Sequence, residues 1–190
     1  MAMTNFDEAL AGHRAMVQNL DALKPVIETI GKQMIAALGK GGKIILMGNG
    51  GSAADSQHLA AEFVGRYQRE RSGMPAIALT TDTSILTAVS NDYGFDNVFT
   101  RQIEALCRPE DVVVGISTSG NSPNVLKALD EARQIGAYTV GFTGGAGGQL
   151  AETADTALVI PAQITSRIQE GHILMGHILC DIVEQAFEGR

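Results

Sequence analysis

Four side chains suited to metal binding or proton transfer occur in two pairs at helical spacing. His58 and Glu62 lie four positions apart in SQHLAAE, so they share one face of a predicted helix. Gln169 and His177 lie eight positions apart in QEGHILMGH, two turns along one side of another helix. Together these groups suit a divalent ion, and imidazoles favour zinc. The spacing does not show that the two helices meet. For each histidine alone, a core or interface position is the simpler interpretation.

A glycine-rich segment precedes the first pair. Gly48–Ser52 (GNGGS) follows the apolar run 43–47 and leads into a helix predicted from Ala53. Glycines allow a tight turn and close backbone approach, and a helix N-terminus offers unpaired N–H groups to an anion. A GxGxxA dinucleotide pattern also fits, but the acidic residue expected about 20 positions later is missing. The absence of GK[ST] excludes a P-loop, and a plain strand–helix turn remains the alternative.

A serine-rich segment follows another apolar run. In Ser117–Ser122 (STSGNS), Ser122 is the predicted N-cap of a helix that begins at Pro123. Capping uses one hydroxyl, so the others are free to bind a ligand. Hydroxyls and N–H groups at a helix N-terminus can bind a dianionic monophosphate without Lys or Arg. We therefore expect a phosphate site here, with an ordinary serine-rich turn as the alternative.

These segments lie within an alternation of short apolar runs and helical stretches. Five runs lack polar alternation, as strands buried on both faces do. They cover residues 43–47, 75–79, 111–116, 138–142 and 157–160. Helices are predicted over 53–69, 84–106, 123–135 and 164–187, with a shorter turn at 148–153. This repetition predicts an α/β fold with a doubly wound, parallel, five-stranded sheet flanked by helices, whose ligands bind at the carboxyl ends of the strands.

Two amphipathic helices, 4–22 and 25–38, precede the first strand. Thr4 and Asp7 resemble a capping box, and Pro25 suits the start of the second helix. We interpret residues 1–190 as a single domain in which 1–39 form an N-terminal helical extension. Helices outside a complete α/β unit often serve assembly, so this extension predicts an oligomer.

The composition and net charge limit the classes of molecule that the chain is expected to bind. A chain of 190 residues fits one domain, and its net charge of −7 opposes binding to nucleic acid or an anionic membrane through a broad basic surface. A small anion in a local pocket is not excluded. The sequence contains no apolar run long enough for a membrane span. Cys107 and Cys180 form neither a CxxC motif nor a disulfide framework. We expect a soluble protein of the reducing cytoplasm.

Several long motifs occur in the order found in one known family. They are GNGGSAADSQHLAAEFVGR, PAIALTTDTSILTAVSNDYGFDNVF, GISTSGNSPNVLKAL and RIQEGHILMGHILCDIVE. From about Lys43 to Glu184 the chain resembles the phosphoheptose isomerases of the sugar isomerase (SIS) superfamily. The resemblance implies a flavodoxin-like SIS fold and a homotetramer with active sites at subunit interfaces. It also implies conversion of D-sedoheptulose 7-phosphate to D-glycero-D-manno-heptose 7-phosphate, which supplies ADP- or GDP-heptose precursors for lipopolysaccharide core or other surface glycans.

The resemblance further implies roles for individual residues. The phosphate is held by the STSGNS segment, here Ser117, Thr118, Ser119 and Ser122. Sugar contacts are implied for Asn49, Gly50, Gly51, Asn91 and Asp92, with Ser52, Glu62 and Gln169 beside them. One zinc ion per subunit is implied at His58, Glu62, Gln169 and His177. Some relatives have an acid where this chain has Ser166, which leaves a secondary polar contact open.

The implied reaction moves a proton between C1 and C2 of the sugar through an enediol. It needs a base for the carbon-bound proton and an acid for the oxygens. We expect Glu62 to be the base and His177 the acid. A zinc ion would polarise the carbonyl. Because Glu62 cannot be both a tightly held ligand and a free base, the alternative role of the ion is to position the residues of the site.

Three other functions remain open from the sequence. The main alternative is a non-catalytic SIS adaptor that binds the replication initiator protein, although such adaptors tend to lose the acid–base pair. Another is an isomerase of hexose or pentose phosphates, which would differ in loop details. A dinucleotide-dependent oxidoreductase is disfavoured by the missing ribose-binding acid.

Overall fold

The computed structural model describes residues 4–189, which form eight α-helices and five strands. In chain order these are α1 (Asn5–Val17), α2 (Lys24–Gly39), β1 (Ile44–Gly48), α3 (Gly51–Val64), β2 (Ala76–Ala78), α4 (Thr83–Tyr93), α5 (Thr100–Leu106), β3 (Val112–Ile116), α6 (Pro123–Ile135), β4 (Tyr138–Gly144), α7 (Gly148–Thr153), β5 (Thr156–Ile160) and α8 (Thr165–Ala186). Short 3₁₀ helices, Leu20–Leu23 and Phe95–Asn97, follow α1 and α4. None of the helices in this part of the chain is both long enough and apolar enough to cross a membrane.

All five strands are parallel and lie in the order β2-β1-β3-β4-β5, which confirms the predicted doubly wound sheet. Within the sheet, the chain first forms β1, then the edge strand β2, and then crosses to β3 on the other side of β1. Gly48 pairs with Ile116, and Ile116 pairs with Phe142, so the carboxyl ends of β1, β3 and β4 are level. The loops that follow these strands therefore emerge side by side, where ligands of such sheets bind.

Two apolar clusters cover the two faces of the sheet. One contains alternate strand residues such as Leu46 and Val114, together with residues of α2, α3 and α8. The other contains the intervening residues, such as Ile45 and Val113, with residues of α5, α6 and α7. Every residue of β1 and β3 is buried, which explains why these strands lack polar alternation. Helix α2 belongs to the first cluster, and its Ile30 is fully buried.

The N-terminal elements follow the sequence signals with small shifts. The predicted capping box is present, because Asp7 N–H donates to Thr4 Oγ1 and Thr4 N–H donates to an Asp7 carboxylate oxygen. Pro25 lies in the first turn of α2. The stretch 4–22 is not a single α-helix, since α1 ends at Val17 and a 3₁₀ turn follows.

Two further helix boundaries differ from the prediction. The stretch 84–106 is broken at Gly94, whose φ of +82° is incompatible with a continuing right-handed helix. The helix predicted over 53–69 begins at Gly51 and ends at Val64. It cannot run to residue 69, because the N–H groups of residues 67–69 donate to the Glu184 carboxylate instead of helical carbonyls.

His172 of α8 is a core residue. Its Nε2 lies 3.0 Å from the carbonyl oxygen of Thr143, and its ring packs near Phe142. Since a carbonyl only accepts, Nε2 carries the proton, while the buried Nδ1 has no hydrogen-bond partner among the described residues. Burial lowers the pKa of His172 to about 4, although the bond to Thr143 acts in the opposite direction. The imidazole is therefore neutral near pH 7.

We predict that His172 lowers the free energy of unfolding as the pH falls from 7 to 4.5. In the unfolded chain a histidine has a pKa of about 6.5, so the unfolded state binds a proton that the folded state excludes. A folded pKa of about 4 implies a loss of about 2 kcal/mol by pH 4.5. Urea unfolding at pH 7 and at pH 4.5 measures this loss of unfolding free energy. His172→Gln, which keeps a donor for Thr143, should lose correspondingly less than wild type. An equal loss in both proteins would contradict the assignment.

Candidate active site

Helices α3 and α8 bring three candidate metal ligands together. The Nε2 of His58 on α3 lies 2.9 Å from the Nε2 of His177 on α8. It also lies 3.4 Å from the Oε1 of Glu62, one helical turn further along α3. One donor atom of each residue lies within 4.8 Å of the other two. The two helices that the sequence left unconnected therefore meet at these residues.

A glycine on α8 allows this approach. A Cβ on Gly176 would lie 2.7 Å from both terminal carbons of Leu59, so a side chain there would push the helices apart. Leu59 is itself buried in the core cluster. Gly176 and Leu59 are each adjacent in sequence to a histidine of the group. The helix separation therefore sets the distance between the two imidazoles.

The donor set of this group suits a divalent cation. Two neutral imidazoles whose nitrogens face each other can share only one proton, so one lone pair must accept. A cation such as zinc would accept lone pairs from both nitrogens and from the Glu62 carboxylate. The side chain of His58 is 48% exposed and that of Glu62 is 21% exposed, so a solute can reach the group.

The glycine-rich loop lies against the same helix α8. Gly50, with φ of +57°, turns the chain into α3. A Cβ on Gly51 would lie 2.5 Å from the amide nitrogen of Gln169, so the Gln169 side chain sits directly on this loop. Ser52 is buried in the first turn of α3. Gln169 is thereby placed beside the predicted sugar-binding backbone, and its role as a fourth metal ligand stays a prediction.

Asn49 connects the two ligand-binding loops. Its side-chain amide exchanges two hydrogen bonds of 2.9 Å with the amide of Asn124, which is buried in the first turn of α6. The glycine-rich loop and the serine-rich loop are thus held in fixed relation. Sequence reasoning missed Asn124, because no local pattern links it to Asn49, 75 positions away.

The serine-rich loop is built differently from the prediction in one respect. Ser122 is the N-cap residue and Pro123 begins α6, as predicted, but the Ser122 hydroxyl makes no capping bond. It lies 2.8 Å from the Ser117 hydroxyl instead. Ser119 Oγ accepts the N–H of Asn121 at 3.2 Å. The expectation that capping occupies one hydroxyl was wrong, because the Ser122 hydroxyl pairs with the Ser117 hydroxyl instead.

A cavity of about 250 Å³ opens beside this loop, between the ends of β3 and β4 and the start of α8. Its lining contains no Lys or Arg. The residues are Thr118, Ser119, Gly144, Gly145, Ala146, Gln163, Thr165 and Ile168. Hydroxyls and backbone groups at the carboxyl edge of the sheet therefore dominate the surface where a phosphate is expected.

Asn91 and Asp92 are not joined to these groups within the chain. Both are exposed in the last turn of α4, where Asn91 Nδ2 donates to Asp92 Oδ1 at 2.8 Å. Helix α4 buries none of its residues and packs mainly against the 3₁₀ turn that follows it. The structure records no hydrogen bond between this pair and either loop.

Two residues that the sequence did not single out adjoin the histidine group. The ring of Tyr67 stacks on His177, with centroids 5.4 Å apart and planes 23° apart. Asp55, one turn before His58, is partly buried, and its Oδ2 has no partner in the described part of the chain. Burial raises the pKa of Asp55, while the nearby His58 lowers it. Neither position belongs to a pattern that would have indicated it.

Comparison with known proteins matches this geometry to one family. Residues 10–144 match the SIS domain family. The phosphoheptose isomerase of Geotalea daltonii is 56% identical over 178 residues, 93% of each chain. The chain belongs to the phosphoheptose isomerase family.

Solved structures support the same assignment. A phosphoheptose isomerase from Neisseria gonorrhoeae is 44% identical to this chain, with a TM-score of 0.87 over 93% of it and 96% of the other. One from Francisella tularensis is 37% identical, with a TM-score of 0.90 over 96% of this chain and all of the other. As a phosphoheptose isomerase family member, this chain is a sugar-phosphate isomerase with the SIS fold, as the motifs predicted.

Gly120 provides a test of how the serine-rich loop is held. It has φ of +69°, and a Cβ there would lie 1.9 Å from the carbonyl oxygen of Gly147. We predict that Gly120→Ala destabilises the fold by at least about 2 kcal/mol, from positive-φ strain plus the clash. Gly39→Ala is the matched control, because a Cβ at this helical glycine meets nothing and should stabilise by about 0.5–1 kcal/mol. Similar unfolding midpoints in urea for the two variants would contradict the prediction.

Proposed function

We propose that the chain interconverts D-sedoheptulose 7-phosphate and D-glycero-D-manno-heptose 7-phosphate. The single observation that supports this most directly is the meeting of Glu62 and His177, a candidate base and a candidate acid, where α3 and α8 pack together. An isomerase of this kind needs an acid–base pair at C1 and C2 and an anion site for the far end of the substrate. The relatives are named phosphoheptose isomerases, which gives a heptose phosphate as their substrate.

The phosphate would be held without a cationic side chain. Ser117 and Ser122 already lie hydroxyl to hydroxyl at the start of α6, and Thr118 and Ser119 border the adjoining cavity. Each hydroxyl can rotate to donate to a phosphate oxygen, and the N-terminal N–H groups of α6 favour negative charge. The sugar chain would then extend towards the glycine-rich loop, where Asn49, Gly50, Gly51, Ser52 and Gln169 are its proposed contacts.

The proton transfers would fall to Glu62 and His177. In the ketose, the Glu62 carboxylate removes a proton from C1; the C1–H electron pair forms the C1–C2 double bond, the carbonyl π electrons move to the C2 oxygen, and His177 donates a proton to that oxygen to give the enediol. Return of the C1 proton from Glu62 to C2, while His177 takes up the proton of the O1 hydroxyl, gives the aldose. Atoms and electrons balance within the sugar, so no external oxidant or reductant is needed.

A zinc ion fits the donor atoms present. His58, Glu62, Gln169 and His177 would hold one ion per subunit, consistent with the two imidazoles and the carboxylate that meet there. When bound, such an ion polarises a carbonyl oxygen and stabilises a neighbouring oxyanion. The protein's own part is to hold the Nε2 atoms of the two imidazoles close to each other and to keep Glu62 one helical turn from His58.

Assembly into a homotetramer is also proposed. Ile85, Tyr93 and Phe95 are exposed on or just after α4, which buries no residue in the described chain. A further apolar groove of about 380 Å³ lies on the surface between α8 and the N-terminal helices. Further copies covering these surfaces would bury them and would give Asn91 and Asp92 new neighbours. We keep a cytoplasmic location and the supply of heptose for surface glycans as parts of this proposal.

The adaptor for the replication initiator gains no support. Such adaptors tend to lose the acid–base pair, whereas Glu62 and His177 lie together here. The curated relative and both solved structures cited above are named as isomerases.

We predict that Glu62→Gln lowers kcat by about 10²–10⁴-fold, because a general base contributes on that order. The assay is proton NMR of sedoheptulose 7-phosphate incubated with the folded variant. Glu70→Gln is the control, since Glu70 is an exposed carboxylate paired with Arg66 on the segment just after α3. Near-normal turnover by folded Glu62→Gln protein would remove Glu62 from the proposed chemistry.

We predict that metal-free protein binds one Zn²⁺ per subunit in calorimetric titration. His58→Gln removes one nitrogen ligand and should weaken binding by at least about tenfold. His13→Gln is the control, because His13 lies on α1 and contacts Glu170 instead of the group. Equal Zn²⁺ affinity in both variants would argue against this site. Full isomerase activity after verified metal removal would refute an essential zinc.

A further inference from the structure

Glu184 is a buried carboxylate near the end of α8 that binds backbone from another part of the chain. Its side chain is fully buried, and it accepts the N–H groups of Tyr67, Gln68 and Arg69 at 2.9, 2.7 and 2.8 Å. Burial alone would raise the pKa of Glu184, but these N–H groups and the Arg71 guanidinium lower it overall. The carboxylate is therefore ionised near pH 7 and fully engaged.

Residues 65–72, here called the return segment, follow α3 and lie against the last turns of α8. Arg71 fixes this segment at its other side. Its guanidinium is almost fully buried and donates to the carbonyl oxygens of Glu62, Gly65 and Ser72 at 2.8, 2.8 and 3.1 Å. Its Nε faces Glu184 Oε1 at 3.5 Å. The return segment is thus held between the backbone of the proposed base, Glu62, and the carboxylate of Glu184.

Tyr67 connects this clamp to the proposed acid. Its backbone N–H is bound by Glu184, and its ring stacks on the imidazole of His177. The other neighbour of that imidazole is His58, whose ring meets it edge-on at 5.1 Å and 69°. One ring therefore covers a face of His177 while another meets its Nε2. Rotation of the His177 imidazole about its side-chain bonds would disrupt the Tyr67 contact.

We propose that Glu184 is a positioning residue that, through the return segment and the Tyr67 ring, fixes the orientation of the His177 imidazole. The inference rests on the proposed function for its kinetic consequence, because an acid must be aimed at the sugar oxygens. It goes beyond that function in assigning a task to a carboxylate seven residues away from His177. Glu184 does not touch the imidazole itself in this arrangement.

A purely structural brace is the competing explanation for Glu184. Under that explanation, loss of the Glu184 carboxylate would lower the stability of the fold and change both kcat and KM, whether or not the Tyr67 ring is present. Glu184→Gln removes the charge and leaves an NH₂ group facing at least one backbone N–H, so at least one of the three bonds is lost. Glu188→Gln is the matched control. Glu188 is an exposed carboxylate near the same Arg69 side chain, and the structure records no backbone N–H donor to it.

The kinetic test is a double-mutant cycle on isomerisation of sedoheptulose 7-phosphate. We expect Glu184→Gln to lower kcat by at least about tenfold with KM changed less than about twofold, since misplacement of an acid affects the chemical step. Tyr67→Ala should lower kcat similarly, and Tyr67→Phe, which keeps the ring, should recover most of that loss. If Glu184 acts through Tyr67, the double variant is no slower than Tyr67→Ala alone.

A second readout does not depend on turnover. The chain has four histidines, so a ¹³C-labelled histidine sample gives four ring Cε1–H signals, and His177→Gln assigns one of them. In wild type, the stacked Tyr67 ring should shift the His177 signal upfield. The shift should be lost in Tyr67→Ala and reduced in Glu184→Gln, but retained in Glu188→Gln.

Two results would overturn the proposal: multiplicative kcat losses in the double variant, or an unchanged His177 signal in folded Glu184→Gln protein. A variant too unstable for study would leave the comparison of Tyr67→Ala with Tyr67→Phe to decide whether the ring orients His177. An inactive wild type would instead refute the proposed function, and the NMR comparison would still decide whether Glu184 fixes the imidazole.

Discussion

The close contact between α3 and α8 is the constraint on which the site depends. Gly176 lets Leu59 pack against the α8 backbone, which brings His58 and Glu62 to His177. Helix α8 is in turn fixed to the sheet, because Ile168 fills the space where a Cβ on Gly144 would lie. The position of the histidine group relative to the end of β4 is therefore fixed. Because the carboxyl ends of β1, β3 and β4 are level, its position relative to both ligand-binding loops is fixed as well.

The electrostatics of the chain explain how an acidic protein can hold a phosphate. Its net charge is −7, and several of its buried or partly buried cations are already neutralised. Lys43 pairs with buried Asp111 at the amino end of the sheet, and Arg71 faces Glu184. The serine-rich loop offers hydroxyls and N–H groups instead, and these dipoles need no counter-charge in the absence of ligand.

The repeating features of the fold were predictable, because each depends on residues close together in sequence. Continuous apolar runs indicated the strands, and the helical spacing placed His58 beside Glu62. The missed features join distant residues: Asn49 to Asn124 across 75 positions, and Tyr67 to Glu184 across 117. No local pattern marks an amide or a carboxylate as the partner of a particular backbone segment. The break at Gly94 was missed because the apolar spacing of the stretch 84–106 continues through the turn.

Helix α8 can be understood as a rigid spacer that carries a different contact at each level. Gln169 lies on the glycine-rich loop, His172 bonds to β4, His177 meets α3, and Glu184 holds the return segment. From the first to the last of these residues, the helix rises about 22 Å. A helix fixes both the rise and the rotation between its residues, so these four contacts cannot shift independently. The return segment and the ligand-binding loops are therefore set by one element, which explains why a carboxylate remote from the sugar can bear on the orientation of the acid.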